Sequence, residues 1–152
     1  TELDKLELPY IETAIICRPQ DKNKSNIHSE YFRIVEIFFQ LEDNNIDNLN
    51  VINLVKDLIE KDDIEVKIKK SNELTLDYIE DVIYEIMVDC IEVASFGKLK
   101  NKNNIWVIGF GLERLLMAKM NAEYIRSFEN EKNFVEFLLN NKSFREKKRL
   151  TE

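Results

Sequence analysis

Ile105-Trp106-Val107-Ile108-Gly109-Phe110-Gly111-Leu112-Glu113-Arg114-Leu115-Leu116-Met117-Ala118-Lys119-Met120 decides the fold. An apolar block runs through two glycines into Leu112, Leu115, Leu116 and Met117, which recur at helical spacing. The pattern predicts a short buried strand over 105–108 and a helix over 110–120. The chain has only 3 glycines, Gly97, Gly109 and Gly111, and two of them lie in this triplet. Glycines at a strand-to-helix junction let a ligand approach the backbone closely. The start of the helix offers free N–H groups and a partial positive charge. Arg114, in the first turn, adds a planar, bidentate phosphate contact. A tight turn with Arg114 paired to a carboxylate explains the same spacing, because Gly-x-Gly alone is a weak signal.

Upstream, 10–18 is apolar and β-branched and reads as a strand; 19–27 is a polar loop. A second long strand follows over 29–41. The pair predicts an antiparallel hairpin with an unusually long tip, and long tips on rigid strands often carry function. Arg18 ends the first strand beside that tip. His28, Phe32 and Glu36 fall at even spacing and share a strand face. An arginine and an aromatic ring over one floor could hold a phosphate and stack a purine. Core packing for Phe32 and a solvated position for His28 are the plainer readings. No metal-ligand spacing accompanies His28, so a zinc site is rejected.

Between these segments, 49–61 has helical periodicity, 64–68 alternates as a half-buried strand, and 74–79 and 82–94 are apolar and strand-like, the latter bulged or partly helical. A polar turn spans 98–104. A helix end at 3–8, a short helix over 133–140 and a basic tail over 142–152 complete the chain. The expected layout is α+β, an antiparallel sheet with helices on one side. Inside 82–94 and just beyond, Asp89, Glu92 and Ser95 interrupt an apolar run. Buried acids are costly unless paired or cation-bound, so Glu92 and Ser95 are candidate hard oxygen ligands for Mg²⁺. An edge strand with Glu92 bonded to a lysine or arginine is the alternative.

Composition sets the bounds. The chain has 152 residues, 44% hydrophobic and 34% charged, enough for one packed domain. The net charge of −7 excludes a strongly basic nucleic-acid scaffold but not a local basic patch. No DNA partner is expected. No apolar run is long enough to cross a membrane, and 1–4 shows no secretory signal. The 2 cysteines, Cys17 and Cys90, form no disulfide framework, and a cytoplasmic location is expected.

Taken together, these segments resemble the catalytic domain of class II aminoacyl-tRNA synthetases. Gly109-Phe110-Gly111-Leu112-Glu113-Arg114-Leu115-Leu116 resembles motif 3 of that family, and Ile16-Cys17-Arg18-Pro19-Gln20, a loop, then His28-x-x-x-Phe32 resembles motif 2. Within the family the chain is most similar to pyrrolysyl-tRNA synthetases, then to phenylalanyl-type cores. The resemblance implies a partial class II core over 1–141, with the tail at 142–152 outside it. It implies that Arg18 holds the α-phosphate of ATP and that Phe32 stacks on adenine. Arg114 would lie on the other adenine face or on the γ-phosphate. Glu92 and Ser95 would hold Mg²⁺, Gly109 and Gly111 would admit the nucleotide, Gln20 would accept from the adenine amino group, and Trp106 would line the amino-acid pocket. The implied partners are ATP, an amino acid, tRNA and a second copy or complementing chain, since nothing resembling motif 1 precedes motif 2. The implied activity is an ATP-dependent aminoacyl-tRNA ligase. Departures from the family pattern also admit a non-catalytic paralogue that acts as a binding or regulatory subunit. Gln20 replaces an acid, Glu36 and Phe38 replace smaller pocket residues, and the string before Gly109 is one residue short.

Overall fold

A computed structural model of the chain describes residues 7–22, 24–43, 46–71, 77–102 and 104–128. Within them one sheet is built from β1 (Tyr10–Cys17), β2 (Tyr31–Gln40), β3 (Val66–Lys70), β4 (Ile79–Val88), β5 (Ile91–Leu99) and β6 (Ile105–Gly111). Two helices, α1 (Asn48–Ile59) and α2 (Leu112–Met120), accompany it. The strand order is β1-β2-β6-β5-β4-β3, and each neighbouring pair is antiparallel. The expected α+β layout is the observed one. The expected helix over 133–140 and the tail lie outside the described residues, as do most of 3–8 and half of the strand over 74–79. Among the described residues no helix is long and apolar enough to cross a membrane.

Strand alternation gives the sheet two unlike faces. One carries Ile86, Val88, Phe96, Trp106, Ile108 and Phe110, which pack with Val51, Val55 and Ile59 of α1 and Ala118 of α2. Full burial of such side chains contributes roughly 1.5–3 kcal/mol each. The periodicity of α1 is therefore the cause of its docking. Its start is fixed by Asp47, whose carboxylate accepts the Leu49 N–H at 2.9 Å. Among the described residues no helix lies on the other face. At one end it bears a small cluster of Phe38, Ile79, Ile83, Leu99 and Val107. At the other end it is open.

Two expectations are corrected. The run over 82–94 is not one bulged segment: β4 and β5 form a hairpin that reverses at Asp89 and Cys90, with φ of 45° and 70°. Two consecutive left-handed residues are what a two-residue hairpin loop requires. The strand over 105–108 continues to Gly111, so Gly109 and Gly111 are strand residues and not a turn. Neither has positive φ.

Candidate functional site

The open end of the helix-free face gathers most of the residues singled out in the sequence. Register runs across the sheet from Glu12 of β1 to Glu36 of β2, Gly109 of β6, Ser95 of β5 and Glu85 of β4. Phe32 and Ile34 lie on the same face as Glu36 by alternation, and Ile34 pairs with Gly111.

The glycines form a floor that the chain's own packing does not demand. A Cβ at Gly109 would meet only the Glu36 side chain, Cγ at 3.7 Å and Oε1 at 3.8 Å, and one at Gly111 only the Val93 carbonyl at 3.9 Å. These are ordinary contacts. At Gly97, by contrast, a Cβ would fall 2.5 Å from Ile79 Cγ2, so packing explains that glycine.

Arg18 follows the last residue of β1. Its backbone N–H donates to the Glu30 carbonyl at 2.7 Å, and its carbonyl accepts from Asp21 as a 3₁₀ turn (Pro19–Asp21) begins. Its guanidinium carbon lies 4.9 Å from the centroid of the Phe32 ring, a cation–π contact. Gln20 is exposed within the turn.

Arg114 enters from the first turn of α2. Its Nε donates to the Ile27 carbonyl at 3.1 Å, and its Nη1 to the Glu92 carbonyl at 3.2 Å and to Glu92 Oε2 at 3.4 Å. The plainer sequence reading of Arg114, a pairing with a carboxylate, is the one observed, and that carboxylate is the candidate cation ligand. Arg114 also ties the hairpin tip to the start of β5.

His28 links the two arginines. Its Nδ1 lies 2.6 Å from Ser25 Oγ. Its pKa is held below the ordinary 6.5 by burial first, then by the positive charges of Arg114, Lys24 and Arg18, against an opposing pull from Asp21. One imidazole therefore feels both guanidiniums. Acids offset these bases: Asp21 lies 3.6 Å from Lys24, Glu30 3.9 Å from Lys22 and Glu92 3.4 Å from Arg114.

Glu92 and Ser95 are an odd number of positions apart, which in a regular strand would set them on opposite faces. The register shift between Ile86 and Met87 changes this: Glu92 pairs with Met87 and Ser95 with Glu85, and those partners share a face. A bulge at Val93 thus brings both oxygens to the open side. Among the described residues no group of three or more His, Cys, Asp or Glu is placed to hold a metal ion. Two protein oxygens alone make no cage, and Glu92 Oε2 already lies 3.4 Å from Arg114 Nη1, so a cation there would compete with the guanidinium.

Glu36 sits beside this floor. Burial, and then the facing Glu12, raise its pKa above the ordinary 4.5. Burial, and then Glu36, raise that of Tyr78 above 10.0. With Ile83, Ser95 and Gly109 they enclose a cavity of about 30 Å³, the volume of one water molecule.

Trp106 is not part of the site. It stands an odd number of positions before Gly109, pairs with Phe39 and Lys98, and lies in the helix-side core. The shortened string before Gly109 moves the indole to the opposite face from the one implied. Val107 takes the open side.

Sequence reasoning missed Glu113 and Arg33. Glu113 is 2% exposed and accepts the Arg33 backbone N–H at 2.8 Å and its Nη1 at 2.9 Å. The pair pins α2 to β2 and so aims the neighbouring Arg114. An acid within an apolar helix pattern was the available signal.

Neither a protein-family model nor a curated protein matches the chain. Solved structures do. Two structures of pyrrolysyl-tRNA synthetase from Desulfitobacterium hafniense superpose with a TM-score of 0.59, at 17% and 18% identity. Each match covers 86% of this chain and 49% of the other, so the chain spans about half the length of the structures it matches. At that identity the likeness carries the fold, which is part of a class II aminoacyl-tRNA synthetase-like catalytic domain.

Proposed function

We propose that the open face binds ATP and that the chain is the core of an aminoacyl-tRNA ligase, activating an amino acid by adenylation before its transfer to tRNA. The observation that carries this reading is geometric: the Arg18 guanidinium lies over the Phe32 ring, and Arg114 ties the hairpin tip at Ile27 to Glu92, beside a glycine floor that no contact among the described residues requires. Arg18 would leave the Phe32 ring for the α-phosphate, and adenine would take its place on the ring. Arg114 would hold the base or the γ-phosphate. Glu92 and Ser95 would hold Mg²⁺, which neutralises charge on the departing pyrophosphate.

The chemistry suits these groups. A carboxylate attacks the α-phosphorus and pyrophosphate leaves. The nucleophile is already ionised, so no general base is needed. In-line positioning and neutralisation of growing negative charge are what the protein must supply. Guanidinium groups do so without changing protonation.

A second reading, a non-catalytic paralogue that binds nucleotide, is favoured by one observation. The Glu92 carboxylate, which would otherwise hold the cation, is engaged by the Arg114 guanidinium at 3.4 Å. Calorimetric titration with Mg-ATP, together with amino-acid-dependent pyrophosphate exchange, separates the two. The ligase reading expects both signals, each lost in Arg18→Ala and Arg114→Ala. ATP binding without exchange under every amino acid supports the paralogue. No ATP binding at all removes both.

A further inference from the structure

The helix-bearing face of the sheet has a vacant end. Beyond the reach of α1 and α2, a cavity of about 530 Å³ opens over β4, β5 and β6. That is within the range of small-molecule sites, roughly 300–1,000 Å³. Its walls combine two kinds of group. Tyr84, Val82 and Trp106 make an apolar, largely aromatic side. Tyr84 stacks on Phe96 with centroids 5.0 Å apart and planes 17° apart, and Phe96 leans on Trp106 at 6.4 Å, so the aromatic side is braced from below. Lys98, Lys100 and Asn101 make the polar side, with Glu80 as the single acid. Lys98 Nζ lies 3.5 Å from Glu80, which leaves the Lys100 ammonium as excess positive charge on the lining.

One further observation points to a ligand. Trp106 is 6% exposed, and its indole N–H has no hydrogen-bond partner among the described residues. Indole nitrogen can only donate, so what is missing is an acceptor. Buried donors in folded proteins are nearly always satisfied; the Trp106 nitrogen itself is covered, so an acceptor in the cavity reaches it only when the indole edge is uncovered.

We propose that this cavity is a second binding site, separate from the arginine cluster on the other face, and that it takes a flat organic anion, an aromatic carboxylate in the simplest case. The ring would lie along Tyr84, and the carboxylate would face the lysines, with one oxygen placed to accept from the indole N–H as the Trp106 edge is uncovered. A neutral ring lacks the charge that Lys100 and Lys98 select. A bare inorganic anion leaves the aromatic wall wet. Magnesium or another cation is disfavoured by the lysines.

The chain has 1 tryptophan, so its indole N–H gives a single resonance in a ¹⁵N–¹H correlation spectrum. The experiment titrates the full chain with 2-naphthoate and with its neutral isostere 2-naphthamide, and follows that resonance alongside calorimetry. The expected result is a saturating shift with naphthoate and binding of the amide weaker by about tenfold, the size of one charge-assisted hydrogen bond. Lys98→Gln with Lys100→Gln should reduce naphthoate affinity by a similar factor while the indole resonance stays dispersed, which shows that the fold is kept. Arg18→Gln should leave naphthoate affinity unchanged. The proposal is overturned by an indole resonance that does not move, by equal affinity for acid and amide, or by loss of binding in Arg18→Gln but not in the lysine variant. None of these outcomes depends on whether ATP binds the other face.

Discussion

The two faces of this sheet are made by the same strands and differ in what fills them. Beneath α1 and α2 the helix-side face is closed by Val55, Ile59, Phe96 and Phe110, each almost fully buried. The opposite face, at its open end, presents glycine, glutamate, serine and a phenylalanine whose only described ring contact is a guanidinium. The first set satisfies the hydrophobic effect; the second does not. Burial stabilises the fold from one side and leaves the other free to carry chemistry.

Four measurements test that division, from the largest effect to the smallest. Phe96→Ala should cost about 3–5 kcal/mol in urea unfolding, as large-to-small changes in closed cores do. Phe32→Ala on the open face should cost much less yet weaken ATP binding. Equal losses of stability would abolish the contrast.

Glu113 and Arg114 are neighbours that serve opposite faces. Glu113→Ala removes the acceptor for the Arg33 N–H and its Nη1, and should cost about 2–3 kcal/mol, the value of charged hydrogen bonds in a buried setting. Arg114→Ala should lower the denaturation midpoint less and lower ATP affinity more. The reverse ranking would mean that Arg114 serves only to tether the hairpin tip.

The glycines sharpen the comparison further. Gly97→Ala drives a methyl group against Ile79 and should cost about 1–3 kcal/mol, as overpacking does. Gly109→Ala meets only ordinary contacts with Glu36, so stability should hold while ligand binding falls. A Gly109→Ala protein with wild-type ATP affinity and exchange activity would remove the floor from the site.

The smallest effect concerns Glu36. Its pKa is raised in the folded state, so its contribution to stability is full below the ordinary 4.5 and is lost as pH rises through the raised value. Glu36→Gln should therefore raise the melting temperature at neutral pH, and the gain should shrink toward acid. A melting temperature lowered at neutral pH would show that the carboxylate has a stabilising cation.

Much of this was legible in the sequence, for identifiable reasons. The β1–β2 hairpin, α1 and α2 follow from apolar periodicity, and the rarity of glycine and arginine drew attention to Arg18, Gly109, Gly111 and Arg114. What escaped is also physical. The turn at Asp89 and Cys90 contains no glycine or proline, so nothing punctuated the run that it divides. Whether Glu92 and Ser95 share a face depends on a bulge at Val93 that spacing alone denies. The placement of Trp106 depends on counting residues from Gly109, and a resemblance that tolerates a gap does not count them. Glu113 stood out only as an acid in an apolar helix pattern; its role depends on a partner, Arg33, far away along the chain.

The odd spacing between Trp106 and Gly109 has an evolutionary meaning. Orientation along a strand is read one residue at a time, so a single inserted codon between them would carry the indole across to the open side. The cavity over β4, β5 and β6 would then lose its tryptophan wall, and the open face would gain an indole opposite Gln40. A lineage could trade one ligand preference for another by an event of three nucleotides, with both helices left untouched.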